Sequence, residues 1–470
     1  MSNFWVIFLG FGYFLAISTV PFILISKKSP HSMLSWLWGV FLFPYLGPLA
    51  YFIWGSERLY RRRLRKRTSA ANRRDKVKEL QLPNNFSARE QGLGKLLSQI
   101  NIYPSSLYTN AEILLDAASF YPALAKEIQN ARESIWIEFY IWKNDRWGNY
   151  FLQLLIEAAQ RGVSVSLILD EIGCLGLSQK FFDPLKQAGG KFTWFNSIDM
   201  IQNRWTFALR NHRKLQIIDG KIAFVGGMNI GCEYAGEDPV SGTWRDIQLM
   251  IEGPVLSSLQ ETFLEDWHFA TGETLTYSQK EFPESSPSEN WIQVVDNGPD
   301  SPEQYMTLSM LALLHYSTER VWIAAGYFIP HEPLISAMKL CASRGVDVRI
   351  LVAEASDHPY LVISARSYYE ELLTYGIKIY EYSRGTHHAK AILVDEDICS
   401  IGSANMDIRS MRLNFELNLF FKSSEKAKYL EEIFEEDFKN STQISLKTFL
   451  KRSIFEQMKE NILRLIAPLL

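Results

Sequence analysis

The sequence predicts an α/β protein. Two tandem α-β-α domains should close a pseudo-twofold core, preceded by a two-helix transmembrane hairpin. Three observations carry this reading. Two charge-free apolar stretches open the chain, and apolar strand-like runs then alternate with amphipathic helical patterns. The same order of runs, ending in the same polar motif, occurs twice.

Phe4 to Ile25 and Ser32 to Trp54 contain no charged residue. Each approaches the ~20 residues an apolar helix needs to cross the hydrocarbon core. Spans are expected at about 4–25 and 33–54, within a hairpin covering 1–56. A cleaved signal peptide fits poorly, because a charged n-region is missing and a second run follows at once. Pro44, Gly47 and Pro48 should bend the second span, which membrane helices tolerate. Trp36, Trp38 and Trp54 fit interfacial anchors.

Orientation follows from flanking charge. The hairpin tip carries Lys27 and Lys28, whereas eleven Lys or Arg stand against one acid, Asp75, between Arg58 and Lys78. The larger cluster should lie in the cytoplasm and carry the C-terminal bulk with it. Beside a span, it also suits attraction to an anionic membrane surface. Residues 57–105 read as a basic juxtamembrane linker.

The net charge of −3 gives no global reason to expect nucleic acid as a partner. Cys174, Cys232, Cys341 and Cys399 are far apart and form no CxxC pair, so reduced thiols are expected. The eight histidines show no spacing for a metal.

In the body, "SIWIEFYIW" (134–142) reads as a buried strand, "NYFLQLLIEAAQRG" as a helix and "VSVSLILD" (163–170) as the next strand. "RVWIAAGYFIP" (320–330), "PLISAMKLCASRG" and "VDVRILVAE" (346–354) repeat that order. Later, "FFDPLKQAGGKFTWF" is matched by "YYEELLTYGIKIYEY". The offset drifts slowly through Trp136/Trp322, Arg161/Arg344 and His212/His388, which suits duplicated domains with loop insertions. The polar "KEFPESSPSEN" (280–290) is the natural boundary, giving domains at 106–279 and 280–470. The second ends in a periodic helical segment, "SIFEQMKENILRLIAPLL", suited to docking on the core or on a membrane.

Each copy holds His-x-Lys, four residues, Asp, six residues, then Gly-Gly/Ser-x-Asn. The first set is His212, Lys214, Asp219, Gly226, Gly227 and Asn229; the second is His388, Lys390, Asp395, Gly402, Ser403 and Asn405. His and Lys two apart on a strand share a face. The neighbouring His387 should point the other way. Asp219 and Asp395 are counted with His212, Lys214, His388 and Lys390 in the catalytic set, although they fall at turns, where a structural role is at least as expected as chemistry. A Lys beside His repels a metal cation but can hold a phosphate. Two such sets, brought together, would converge on one phosphodiester. Asp246 and Glu416, at corresponding places after the motifs, are candidates to orient the imidazoles. The competing reading pairs them with Arg245 or Arg412. Lys214, Lys390, Asn229, Ser403 and Asn405 would hold the phosphate oxygens.

With this doubled motif the chain resembles the phospholipase D superfamily, departing only by Gly227 where the signature has Ser. "FPYLGPLAYFIWG", "GGMNIGCEY", "WRDIQLMIEG", "SANMDIRSMRLNFE" and the terminal "RLIAPLL" make it similar to the bacterial cardiolipin synthases over nearly its full length. The resemblance implies that His212 is the nucleophile, forming a phosphatidyl-histidine, and His388 the acid and later base. It implies transfer between two phosphatidylglycerol molecules to give cardiolipin and glycerol, without cofactor or metal. The setting would be a bacterial inner membrane, with the catalytic domain in the cytoplasm. Alternatives are a hydrolase releasing phosphatidic acid, a nuclease, and a membrane scaffold with a dead site. "DHPYLV" (357–362) resembles a family segment near the substrate pocket, where His358 reads as a binding or structural residue. "WFNSIDMIQNRWTFALR" (194–210) suits either the membrane interface or the core. Sequence symmetry does not rank the two histidines, and oligomeric state stays open.

Overall fold

The computed structural model describes residues 2–26, 30–55, 88–195, 209–239, 242–275, 290–301 and 304–466. The N-terminal helices form one compact unit, and the described residues from Ala88 onward form another. Lys27 and Lys28, the basic run, most of 194–210, the boundary segment 280–289 and the last four residues lie outside the described set.

In the larger unit, the first half contributes strands Asn110–Leu115 (β1), Ser134–Phe139 (β2), Ser164–Leu169 (β3), Lys191–Trp194 (β4), Leu215–Ile218 (β5), Ile222–Gly226 (β6) and Ile247–Glu252 (β7). The second contributes Trp291–Asn297 (β8), Arg320–Ala325 (β9), Asp347–Ala353 (β10), Lys378–Tyr382 (β11), Ala391–Val394 (β12), Ile398–Gly402 (β13) and Asn414–Lys422 (β14). The first sheet runs β1-β7-β6-β5-β2-β3-β4, and the second contains the path β8-β14-β13-β12-β9-β10-β11, extended at its edges by Ser106–Leu107 beside β8 and Ser441–Gln443 beside β11. Adding seven to each label converts one into the other. Directions agree too: β2, β3 and β4 are mutually parallel, as are β9, β10 and β11, and the remaining neighbours are antiparallel.

Parallel neighbours need crossover helices. Arg146–Gln160 joins β2 to β3, starting where the Asp145 side chain accepts from Gly148 N, and it buries Phe151, Leu155 and Ala158 on one face. Glu332–Ser343 does the same between β9 and β10, through Ile335 and Met338. Leu256–Thr271 and Ser424–Lys439 supply the opposite layer. Trp136 stacks on Phe263 at 5.3 Å, and Trp322 meets Phe438 edge-on at the same distance. Each sheet therefore lies between helices, with a separate apolar core per half.

Where the halves meet, Arg213 is fully buried and pairs with Asp266 of the first and Asp296 of the second. Part of the expected linker is also structure. Ala88–Ile100 is a helix whose Leu93 and Leu97 are buried in the core of the second half. Its apolar spacing was hidden by the polar residues around it.

The N-terminal unit corrects the expectation of two crossing helices. Ser2–Ile25 is a continuous helix, long and apolar enough to span a membrane over Phe4–Ile25. The second segment is not. It forms a helix over Pro30–Leu42, turns at Phe43–Tyr45 and returns through Leu46–Gly55. Gly39 and Gly47 would stand ~12 Å apart in one straight helix. Instead, a Cβ on Gly47 would lie 2.4 Å from Gly39 O, and Trp36 meets Tyr51 at 5.4 Å. Pro44 and Pro48 break the ladder, and the two glycines let the arms touch. The turn sits beside Phe8, whose ring stacks on Tyr45 at 4.5 Å, while Tyr51 Oη donates to Phe22 O at 2.7 Å. The segment thus enters alongside the first helix and comes back.

Candidate active site

The two histidines are placed by the same device, each using the other half of the molecule. Arg210–Asn211 pairs in parallel with Asn414–Phe415 at the start of β14, and His212 N donates to Phe415 O at 2.9 Å. The next residue, Glu416, meets His212 Nδ1 at 3.0 Å. In the mirror arrangement Thr386–His387 pairs with Trp244–Arg245, and His388 N donates to Arg245 O at 2.7 Å. There Asp246 meets His388 Nδ1 at 2.8 Å. An ionised carboxylate only accepts, so each Nδ1 carries the proton and each Nε2 keeps the lone pair.

His and Lys do not sit on regular strands as expected. Residues 212–214 and 388–390 form the irregular step that leads into β5 and β12. Each Lys ammonium still curls back onto the backbone of its own histidine: Lys214 Nζ donates to His212 O at 2.7 Å, and Lys390 Nζ donates to His388 O. Lys390 also stands 2.7 Å from His388 Nδ1. Since that nitrogen gives its proton to Asp246, this is a close approach of charge, not a second bond. Lys214 lies over the Tyr140 ring at 5.3 Å.

Burial sets the protonation states. It lowers His212, with Glu416 opposing, and pushes His388 down to about 4 with help from Lys390. It also brings Lys214 down to about 7 and Lys390 to about 8. For Asp246, burial alone would raise the carboxyl, but Lys390 and His388 hold it below the usual range. His212 and Lys214 do the same for Glu416. Both imidazoles are therefore neutral in the free site, between two lysines and two carboxylates. An entering phosphodiester anion favours protonation of one of them.

The histidines open onto a cavity of about 150 Å³, also lined by Asn229, Asn405, Tyr140, Tyr327, Arg210 and Arg409. Asn229 Oδ1 accepts from Ile141 N at 3.1 Å, so its NH2 remains for a ligand. Asn405 has an amide oxygen with no hydrogen-bond partner. Asp407 lines the cavity as well, its carboxyl raised by burial to about 6. Neither arginine nor Asp407 was singled out from the sequence, although "SANMDIRSMR" holds two of them, two and four residues past Asn405. His358 is half-exposed on the cavity wall, 3.6 Å from Asp357.

Three expected site residues lie elsewhere. Asp219 and Asp395, expected in the catalytic set, are at hairpin turns with φ of 51° and 50°. Asp219 accepts from the backbone N–H groups of Arg132, Glu133 and Ser134, Asp395 from those of Thr318, Glu319 and Arg320. Each carboxylate clamps the start of a central strand, and neither lines the cavity. Ser403 does not face phosphate either: its hydroxyl donates to Glu416 at 2.5 Å and accepts from Leu417 N. The reading of Asp246 and Glu416 as partners of Arg245 and Arg412 also fails, since Arg245 bridges Asp116 and Asp437. His387 points away, toward Asp437 at 3.4 Å.

Comparison with known proteins agrees with this geometry. The family described as cardiolipin synthase, phospholipase D-like domain, matches residues 124–267 and 310–438. The chain belongs to the cardiolipin synthase family. A phospholipase D-nuclease N-terminal family matches residues 14–56. A cardiolipin synthase of Clostridium perfringens is 36% identical over 95% of this chain and 96% of its own length. Cardiolipin synthase 1 of Bacillus cereus is 35% identical over 98% of this chain and 94% of its own. In fold, the chain is similar to the phosphatidylserine synthase of Haemophilus influenzae, with a TM-score of 0.59 at 15% identity, covering 80% of this chain and 98% of that one. The protein is thus a phosphatidyltransferase of the phospholipase D type that acts on phospholipids, and its apolar N-terminal helix associates it with a membrane.

Proposed function

We propose that this enzyme transfers a phosphatidyl group from one phosphatidylglycerol to another through a phosphatidyl-histidine, releasing glycerol. One observation supports this above the rest: two neutral imidazoles, each held at Nδ1 by a carboxylate of the other half, line one cavity, and a buried lysine stands behind each on its backbone carbonyl. His212 Nε2 attacks phosphorus, and the P–O bond to glycerol breaks. His388, protonated once the anion is bound, gives its Nε2 proton to the departing alkoxide. The hydroxyl of a second phosphatidylglycerol then loses its proton to His388 and attacks phosphorus. The P–N bond breaks and His212 is restored. Lys214, Lys390, Asn229 and Asn405 hold the nonbridging oxygens while negative charge develops. Asp246 and Glu416 fix the tautomers and stabilise imidazolium when it forms.

In the membrane, the body faces the cytoplasm, on the side of the basic run. The returning second segment supports a single crossing by the first helix, with Lys27, Lys28 and the basic run on one face and Ser2 on the other. This removes the conflict of leaving two lysines outside.

The test is incubation of the full chain in vesicles with phosphatidylglycerol labelled in its acyl chains. Labelled cardiolipin and free glycerol are expected, both lost in His212→Ala. Phosphatidic acid without cardiolipin would overturn the transfer.

A further inference from the structure

The helix Ile454–Ile466 is docked the wrong way round for a water-soluble surface. An amphipathic helix on a soluble protein turns its apolar stripe inward. Here Ile454, Phe455, Met458, Ile462 and Leu465 fall on one face, and each is between 54% and 79% exposed. The opposite face holds the helix to the body by polar contacts. Glu460 is buried and pairs with Arg452 at 3.6 Å, and the Arg464 guanidinium covers the Tyr368 ring at 4.2 Å.

Two features identify what covers the stripe. The helix packs on Pro359–Arg366, whose Tyr360 and Leu361 line the catalytic cavity, so that one helix lies between it and the cavity. Lys459 is exposed beside the stripe and Lys447 and Lys451 are exposed just before the helix, while Glu456 is the exposed acid within it. An apolar stripe bordered by basic residues matches an anionic lipid interface, where such a helix lies in the plane with its apolar face below the headgroups. We propose that this helix is a second membrane contact, seated in the interface at the cavity mouth, where a lipid headgroup enters without its acyl chains leaving the bilayer. The proposal rests on the reading of the cavity as a phospholipid site.

Spin labels attached at Met458→Cys and Ile462→Cys, in full chain carrying Cys232→Ser and reconstituted in phosphatidylglycerol vesicles, measure depth without any need for turnover. The labels should be reached by oxygen and shielded from an aqueous nickel chelate. Free access of the chelate to both would overturn the proposal. A triple variant, Phe455→Glu, Ile462→Glu and Leu465→Glu, should lose ~10-fold or more of its rate on bilayer phosphatidylglycerol. It should keep the rate on a short-chain analogue dispersed in detergent micelles. Equal rates for wild type and variant on bilayers, or equal loss on both substrates, would overturn it, as would a change confined to oligomeric state, which would assign the stripe to a second copy. A wild type inert on both substrates would sink the cavity assignment instead, and label depth would still decide the helix.

Discussion

The two halves of the catalytic site are built on one plan and differ where the carboxylate meets the chain. His388 is held by the shorter Asp246, which lies so close to β6 that a Cβ on Gly227 would stand 2.2 Å from its Oδ1. His212 is held by the longer Glu416, and the corresponding position, Ser403, adds a hydroxyl to that carboxylate. The departure of Gly227 from the serine of the signature therefore does not weaken a phosphate cradle. It makes room for one histidine's carboxylate, while the serine positions the other's. Local sequence differences between duplicated halves are here matched sets, a carboxylate from one half and a small residue beside it.

The comparison breaks most visibly at the histidines. His212→Ala and His388→Ala should each lower cardiolipin formation by at least ~10³-fold, since on the proposed mechanism one removes the nucleophile and the other the acid. A substrate with a p-nitrophenol leaving group needs no acid, so it separates them. His388→Ala should release one equivalent of nitrophenol in a burst, and His212→Ala none; the reverse result would exchange the roles.

Next come the carboxylates and their neighbours. Glu416→Gln and Asp246→Asn should each cost ~10²–10⁴-fold in kcat by disturbing the tautomer, with little change in KM. Gly227→Ser should approach the Asp246→Asn loss and also lower Tm, because serine and carboxylate compete for one space. Ser403→Ala removes a single hydrogen bond to Glu416 and should cost only ~10-fold. If both small-residue variants had the same effect, the asymmetry would carry no function.

The smallest effect on chemistry is expected at the turns. Asp395→Asn should leave kcat within ~3-fold, because it touches no cavity residue, yet lower Tm by weakening the clamp on β9. Backbone N–H donors from Glu319, Arg320 and Thr318 hold the Asp395 carboxyl below its usual range against the opposing effect of burial. Its contribution is therefore present above the unfolded value of 3.8 and is lost as pH falls through the lower folded value. Thermal melts should show the gap between wild type and variant closing below pH ~4. His388 adds a second acid sensitivity. Its folded value of about 4 lies below 6.5, so the unfolded chain binds the extra proton and stability falls as pH drops between them. A phosphodiester analogue should bind more tightly over the same range, as it takes up that proton.

Much of this was legible from residue pattern. Strand-helix-strand order, with buried strands reading as unbroken apolar runs, foretold β2–β3 and β9–β10 and their crossovers. The doubled motif pointed to both histidines, both lysines and both asparagines. Arg210, Arg409 and Asp407 were missed because an arginine or aspartate beside a motif looks the same whether it faces solvent or a cavity. The second apolar stretch was misread because hydropathy counts residues and is blind to where the chain reverses. Only the contacts of Gly47 and Tyr51 with Gly39 and Trp36 show the turn.

By itself, the sequence determined that there are two copies, which residue types they offer, and that His388 rather than His387 keeps the register of His212. The tertiary structure decided how the copies combine. Each imidazole takes its carboxylate from the far half, because each motif pairs with the strand entering β7 or β14 of the other. That exchange leaves no trace in spacing. A hydrogen bond of about 3 Å between residues some 140 to 200 positions apart depends on how two sheets meet.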